Sequence, residues 1–130
     1  KQSARGGYYV HVQPGHNLLS GGIWCPDKQQ LKALRQNVFD NAEEFKAILN
    51  NPGFSRYFSL DNDPDKLKKV PAPFPKDSPD AEYVKYKRYT ATCYVEDDFF
   101  TGPDATTKAI DRLKLLLPLN SFLNYAVDNR

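Results

Sequence analysis

An alternating stretch near the start of the chain predicts a β-strand. Residues 8–13 are aromatic, β-branched or polar, and successive side chains of a strand point to opposite faces. One face carries Tyr8, Val10 and Val12, and the other carries Tyr9, His11 and Gln13. Residues 14–17 have turn chemistry, and residues 18–24 return as a second strand whose two glycines indicate a bulge or a close backbone approach. We therefore expect an antiparallel hairpin.

Apolar residues at helical spacing predict three helices. The first begins after Pro26, the second begins at Asn41 with the spacing of a capping box to Glu44, and the third begins at Pro103. Pro118 breaks or kinks the third helix, and residues 122–127 suggest a closing helical turn or two. The three apolar stripes are Leu31, Leu34 and Val38; Phe45, Ile48 and Leu49; and Ile110, Leu113 and Leu117. We expect the first and third stripes to be buried against the sheet.

The middle of the chain is rich in proline. Residues 59–79 have little apolar periodicity and contain five of the ten prolines, which predicts an extended loop. A short helix over residues 80–87 would pack Tyr83 and Val84, and residues 89–95 alternate as a half-buried strand. This order of elements predicts an α+β fold, with helices packed on one small antiparallel sheet.

Composition indicates a single domain over residues 1–130. The chain is 40% hydrophobic and 26% charged, as globular proteins are. No apolar run approaches the roughly 20 residues that span a bilayer. Two cysteines are too few for a disulfide scaffold, and we interpret them as free thiols of a cytoplasmic protein. The start lacks an initiator Met and a signal-type apolar region, so we expect a domain truncated at its N-terminus.

Three stretches resemble the bacterial family called domain of unknown function 2461. They are residues 7–26 (GYYVHVQP running on to GGIWCP), residues 67–89 (LKKVP, PDAEY and KRY) and residues 118–124 (PLNSFLN). The resemblance covers essentially the whole chain and implies one α+β domain, of which this chain is the larger, C-terminal part. Family members usually begin with a helical segment and a basic-aromatic motif, so a family site that uses that motif would be incomplete here.

The chain also departs from the family pattern. Glycine is usual in the family near Pro73, and histidine is usual where Ser78 stands. A role for that histidine therefore does not transfer to this chain. Since the family name assigns no activity, the resemblance implies a fold and no function.

Two sets of residues are candidates for ligand binding. Aromatic and imidazole groups on the hairpin can stack and form hydrogen bonds at a sheet face; these are Tyr9, His11, Gln13 and Trp24. Basic residues of the later segments would favour a small anionic ligand; these are Lys68, Lys69, Lys87 and Arg88. The alternatives are packing under a helix for the hairpin set and a solvated basic face for the second set.

No cofactor and no metal site is predicted. His11, His16 and Cys25 lack a fourth ligand and the paired spacing of a structural zinc site. Residues 61–65 begin like a calcium loop, but the required glycine and final glutamate are missing, so we interpret them as a solvated acidic loop.

The leading hypothesis is a ligand-binding or accessory module with an anion-tolerant pocket near the hairpin and the lysine-rich loop. The alternative is an enzyme that uses His11 together with residues of the missing upstream segment, since an imidazole can transfer protons near neutral pH. Both hypotheses place His11 on the face opposite Val10, near Trp24, partly accessible beside a pocket. The oligomeric state is left open.

The charge of the chain makes nucleic acid an unlikely partner. A net charge of +2 and one short basic run cannot neutralise many phosphates. We predict that the chain binds mixed-sequence duplex DNA weakly, as measured by fluorescence anisotropy over a salt series. A salt dependence that corresponds to about six or more phosphate contacts would contradict this prediction.

Overall fold

The sheet is antiparallel throughout, and its strands lie side by side in the order Gly7–His11, Asn17–Ile23, Tyr89–Val95 and Ser59–Leu60. The computed structural model describes residues 5–129. The strands are β1 (Gly7–His11), β2 (Asn17–Ile23), β3 (Ser59–Leu60) and β4 (Tyr89–Val95). β1 and β2 form the predicted hairpin, and β2 pairs with β4 over its full length. The short edge strand β3 was not predicted, because two residues carry no alternation that a pattern could show.

The helices within residues 5–129 confirm the predicted α+β class. They are α1 (Lys28–Asp40), α2 (Ala42–Asn50), α3 (Pro52–Ser55), α4 (Ala105–Lys114) and α5 (Leu117–Asp128), with 3-10 helices at Ala81–Val84 and Asp97–Phe100. None of the helices in this described part is both long and apolar enough to cross a membrane. α5 has twelve residues, so the predicted closing turn or two is a full helix.

The first two helices begin differently from each other. At α1, the Asp27 carboxylate accepts a hydrogen bond from the backbone N–H of Gln30, and the Gln30 side chain accepts one from Asp27, both at 2.8 Å. At α2, the predicted capping box is wrong. The Asn41 side chain donates instead to Asn37, with a distance of 2.7 Å to Oδ1, and makes no cap bond.

The helices pack on one face of the sheet. That face presents buried side chains from the two central strands, namely Leu19, Ile23, Tyr89, Ala91 and Cys93. Leu34 and Val38 of α1 are fully buried in the same core, and Leu31 packs against it, so the predicted α1 stripe is confirmed. Leu116, Leu119 and Leu123 complete this layer from the C-terminal region.

The predicted stripe of the third helix is wrong at both ends. Ile110 is 47% exposed and Leu117 is 51% exposed, whereas Leu116 is fully buried. At Leu117 the reason is a break between two helices. α4 ends at Lys114, the backbone N–H of Leu116 donates to the Leu113 carbonyl three residues earlier, and α5 starts with Pro118 in its first turn. A periodicity counted across this junction therefore assigns the wrong leucine to the core.

The paired glycines in β2 permit a close approach between β2 and β4. Gly22 has a φ of 118°, and a Cβ at this position would lie 2.1 Å from the carbonyl oxygen of Tyr89. A Cβ on Gly21 would lie 2.8 Å from Leu116 on the helix side. The predicted close backbone approach is therefore present at Gly22, where a larger residue would separate the central strands.

Two leucines of α5 provide a matched test of this packing. Replacing the buried Leu119 by Ala should lower the free energy of unfolding by about 2–5 kcal/mol, because it leaves a cavity in the core. Leu117→Ala should change it by less than about 0.5 kcal/mol, because half of that side chain is already exposed. Urea unfolding followed by circular dichroism measures both values, and equal losses would contradict the assigned helix orientation.

Candidate functional site

The strand register defines a second sheet face that points away from the helices. One row of residues on this face crosses three strands and consists of Tyr9, Ser20 and Thr92. The next row consists of His11, Leu18 and Tyr94. Because Leu19 and Cys93 face the core, these rows lie on the opposite side. We call this surface the open face and define it by residues 9, 11, 20, 90, 92 and 94. Tyr9 is 50% exposed on it and Tyr94 is 71% exposed.

The hairpin candidates come together at one edge of the open face. The Tyr9 hydroxyl lies 3.4 Å from His11 Nδ1, and His11 Nε2 lies 2.9 Å from Gln13 Oε1. The Tyr9 and Trp24 rings meet edge to face, with centroids 6.2 Å apart. The predicted register is therefore observed, with His11 on the face opposite Val10 and half-buried. A ligand-binding role for this set stays a prediction.

Both ring nitrogens of His11 have polar neighbours. If the Gln13 carbonyl oxygen accepts from Nε2–H, then Nδ1 carries a lone pair and accepts from the Tyr9 hydroxyl. In this arrangement the imidazole orients two neighbouring side chains. The His16 ring also lies edge-on to His11, with centroids 5.5 Å apart.

The centre of the open face holds a hydroxyl–carboxylate network that the sequence did not reveal. Asp61 Oδ2 accepts hydrogen bonds from the Thr90 hydroxyl at 2.7 Å and the Thr92 hydroxyl at 2.9 Å. The Ser20 hydroxyl lies 3.1 Å from that of Thr92 and donates to the Ala91 carbonyl. Among the described residues, no hydrogen bond reaches Asp61 Oδ1, which leaves that oxygen available to a ligand.

β3 is the element that positions Asp61. Ser59 and Leu60 pair with Thr92 and Ala91, and the backbone N–H of Asp61 then donates to the Thr90 carbonyl at 2.8 Å. The polar alternation of Thr90 and Thr92 was visible in the sequence. The carboxylate beside them was not, because only the pairing of β3 brings residue 61 to β4.

The basic candidates do not form one free cationic patch. Arg88 lies 3.3 Å from Asp63 Oδ1 through Nε and donates from Nη2 to Asp65 at 2.6 Å, so its charge is already compensated. Lys68, Lys69 and Lys87 are exposed. Within residues 5–129, no hydrogen bond or ion pair joins these lysine side chains to the hairpin set. Ile23 at the end of β2 pairs with Tyr89 at the start of β4. Trp24 follows Ile23 and Arg88 precedes Tyr89, so both lie at the same end of the sheet.

The expectation of a solvated acidic loop is wrong for Asp63. Its side chain is fully buried and accepts hydrogen bonds from three backbone N–H groups, those of Asp65, Lys87 and Arg88, at 2.8–3.2 Å. Burial by itself raises the pKa of Asp63, but these hydrogen bonds and the Arg88 guanidinium outweigh it, and the pKa lies below 3.8. Asp63 thus connects the proline-rich loop by hydrogen bonds to the two residues that precede β4.

Three cavities lie among the helices, away from the open face. Their volumes are about 810, 620 and 370 Å³, and they follow α5 where it meets α1 and α2. Tyr125 lines the first two, and Pro118 lines the last two. None of the three is lined by the hairpin candidates. The pocket expected beside His11 is therefore not one of them. On the open face Tyr9 and Tyr94 are exposed, whereas Ser20 and Thr90 are buried.

Metal-binding and thiol chemistry are limited in the described part of the chain. Within residues 5–129, no group of three or more His, Cys, Asp or Glu side chains could hold a metal ion. Cys25 is exposed, Cys93 is buried, and both are free. Arg112 Nη1 lies 3.4 Å from Cys93 Sγ, so the buried sulfur has a polar partner inside the core.

The fold and the open face define an α+β domain with helices on one side of its sheet and a polar, aromatic surface on the other. The chain matches the model of the family described as conserved hypothetical protein (DUF2461) over residues 1–122, and it belongs to that family. Searches of curated proteins and of solved structures each found no match.

The buried Asp63 carboxylate generates a stability prediction. Asp63→Asn should lower the free energy of unfolding by about 3 kcal/mol near neutral pH, because the amide NH₂ faces backbone donors and Arg88 loses its buried partner. Asp65→Asn should lower it by less than about 1 kcal/mol, because that side chain is largely exposed. Chemical unfolding of the three proteins at several pH values provides the measurement.

The pH dependence has a defined sign. The folded-state pKa of Asp63 lies below the value of 3.8 for an unperturbed carboxyl, so its contribution is fully present above pH 3.8 and is lost as the pH falls through the folded-state pKa. The difference between wild type and Asp63→Asn should therefore shrink in acid. A difference that stays constant below that range would contradict the role assigned to the carboxylate.

Proposed function

We propose that this domain is a ligand-binding module and that its site is the open face of the sheet. The observation that carries the proposal is that two kinds of group, exposed aromatic rings and a half-buried carboxylate, lie on one face of the sheet. Exposed aromatic rings, Tyr9 and Trp24, lie at one side, and the Asp61 carboxylate, held at one oxygen by two threonine hydroxyls, lies towards the other. Aromatic faces contribute stacking area, and an oriented carboxylate contributes a directed acceptor.

The dimensions of the surface indicate the size of the ligand. Tyr9, Ser20 and Thr92 occupy three neighbouring strands, and adjacent strands lie about 4.8 Å apart. The backbone of β1 at Tyr9 therefore lies about 10 Å from the backbone of β4 at Thr92. This distance fits one or two joined rings, with a ring face on Tyr9 or Trp24 and a hydroxyl or amine donor directed at Asp61. The half-buried Thr92 lies along the path between them, and Ser20 beside it is buried.

Charge favours an uncharged or weakly cationic ligand over the small anion expected at first. Arg88 is already paired with Asp63 and Asp65, and Asp61 contributes a negative charge to the open face. The Asp61 carboxylate would repel an anion bound at this place, and no unpaired cation of the basic set contacts the hairpin to offset the repulsion. In this proposal His11 belongs to the binding surface, where it lies beside Tyr9 and Gln13.

The only tryptophan of the chain provides the readout. Monosaccharides, disaccharides, nucleosides and aromatic amines are titrated against the protein while Trp24 fluorescence is followed. We expect a saturable change with at least one ring-bearing, hydroxyl- or amine-bearing compound. Tyr9→Ala should weaken that binding by about tenfold, the equivalent of one aromatic contact of about 1.4 kcal/mol. Asp61→Asn keeps the shape and the threonine contacts but removes the charge, and it should weaken binding by a similar factor.

Tyr125→Ala is the matched control, because Tyr125 is 61% exposed and lines the cavities on the helical side. It should leave the affinity unchanged. Loss of binding in Tyr125→Ala, with no effect of Tyr9→Ala or Asp61→Asn, would move the site to the cavities along α5. An inorganic anion that binds competitively with the ring compound would contradict the charge argument.

A further inference from the structure

Three cations converge on two aromatic rings beside α4. The guanidinium carbon of Arg112 lies 3.7 Å from the centre of the Tyr57 ring and 5.1 Å from that of Phe99. The guanidinium of Arg56 shares the Tyr57 ring at 5.4 Å, and the Lys108 ammonium lies 5.0 Å from the centre of the Phe99 ring. We call Arg56, Lys108 and Arg112 the cation cluster. Because like charges at such short range repel one another, a bound anion would stabilise the cluster.

Arg112 is held in one orientation, but its best anion-binding edge has no acceptor. The side chain is half-buried, and Nη1 donates to Cys93 Sγ at 3.4 Å while the rings cover the guanidinium. Nε and Nη2 form the edge that binds a carboxylate or phosphate through two parallel hydrogen bonds. Among the described residues, no hydrogen bond reaches either atom. Asp98 and Asp111 are close in sequence, but within this part of the chain neither forms an ion pair with the cation cluster.

Two other half-buried arginines show how this edge is occupied elsewhere in the same domain. Arg88 directs Nε and Nη2 to two carboxylates of the proline-rich loop, at 3.3 and 2.6 Å. Arg35 donates from the same two atoms to the Tyr86 carbonyl, at 3.1 and 2.9 Å. Arg112 is oriented as firmly as these two, by two rings and a thiol, and its Nε–Nη2 edge is therefore prepared for an acceptor from outside the chain.

The cation cluster lies at the opposite corner of the sheet from the place where the described chain enters it. Gly7 begins β1 and pairs with Gly22, which pairs with Thr90. Cys93 lies three residues further along β4, so it is about 10 Å from Gly7 along the strands and about 10 Å across them. The contacts that orient Arg112 join α4 to β4, to the residues before β3 and to the 3-10 helix at Asp97–Phe100.

We propose that the cation cluster binds a phosphate dianion, either as free phosphate or as the phosphate monoester of a small molecule. The Nε–Nη2 edge of Arg112 donates two hydrogen bonds to it, and the exposed side chains of Arg56 and Lys108 contribute the remaining positive charge. A dianion balances more of the three charges than a carboxylate does, and its oxygens accept from several directions. Arg112 approaches the sheet from the Cys93 side, so this site is separate from the open face and does not depend on the ligand bound there.

Phosphorus NMR of inorganic phosphate and of phenyl phosphate measures binding directly, in a chloride buffer of constant ionic strength. We expect saturable binding to the wild-type protein with a Kd on the order of 1 mM. Acetate should compete at least about fivefold more weakly, because it carries one charge instead of two. Tighter binding of phenyl phosphate would identify a monoester as the source of the phosphate group, and equal binding would identify free phosphate. Acetate that competes as well as phosphate would overturn the choice of a dianion.

Variants of α4 locate the site. Arg112→Lys keeps the charge but loses the two-pronged edge, and it should weaken phosphate binding by at least about fivefold. Lys108→Gln should weaken it by about threefold, because one of the three charges is lost. Lys114→Gln is the matched control, since Lys114 is an exposed lysine of the same helix and, among the described residues, contacts neither ring. It should leave the affinity unchanged.

Circular dichroism shows whether each variant is folded before affinities are compared. If Arg112→Lys does not fold, the double variant Arg56→Gln and Lys108→Gln decides, because both side chains are exposed, and it should weaken binding by at least about tenfold. A wild-type protein without saturable phosphate binding overturns the proposal. Equal weakening by Lys114→Gln and Lys108→Gln, or unchanged affinity in a folded Arg112→Lys protein, overturns the assigned site.

Discussion

The pairing of β2 with β4 is the contact on which the rest of the structure depends. Seven residue pairs join these two strands, although more than sixty residues of chain separate them in sequence. The pairing requires a residue without a side chain at Gly22, where the backbone passes close to Tyr89. Every helix that covers the core packs on the face that these strands create, and both edge strands attach to them.

A second constraint holds the long loop to this centre. Residues 61–88 have almost no regular structure, and an untethered loop of that length would be uncommon in a compact domain. Asp63 supplies the tether by accepting backbone hydrogen bonds from the start of β4. Nearby, the Tyr89 hydroxyl donates to the Tyr83 carbonyl, and Arg35 of α1 donates to the Tyr86 carbonyl. Burial raises the pKa of Tyr89, which keeps this hydroxyl a donor.

The one-sided covering of the sheet explains why the candidate ligand surface lies on the face away from the helices. Helices from both halves of the chain lie on the Leu19 face, and their packing leaves the Ser20 face with hydroxyls, a carboxylate and aromatic rings. A buried polar row is stable there because each hydroxyl has a partner.

The sequence by itself determined the elements whose signal is local. Alternation over residues 8–13 and 89–95 set the strand faces correctly, and the spacing of Leu31, Leu34 and Val38 predicted the buried face of α1, because these patterns depend on neighbours within a few residues. Only the tertiary structure decided the rest. β3, the burial of Asp63 and the carboxylate beside Thr90 and Thr92 arise from contacts between residues far apart in sequence. Leu116 is buried in place of Leu117 because α4 ends and α5 begins at this point, so one helical period does not continue across the two helices.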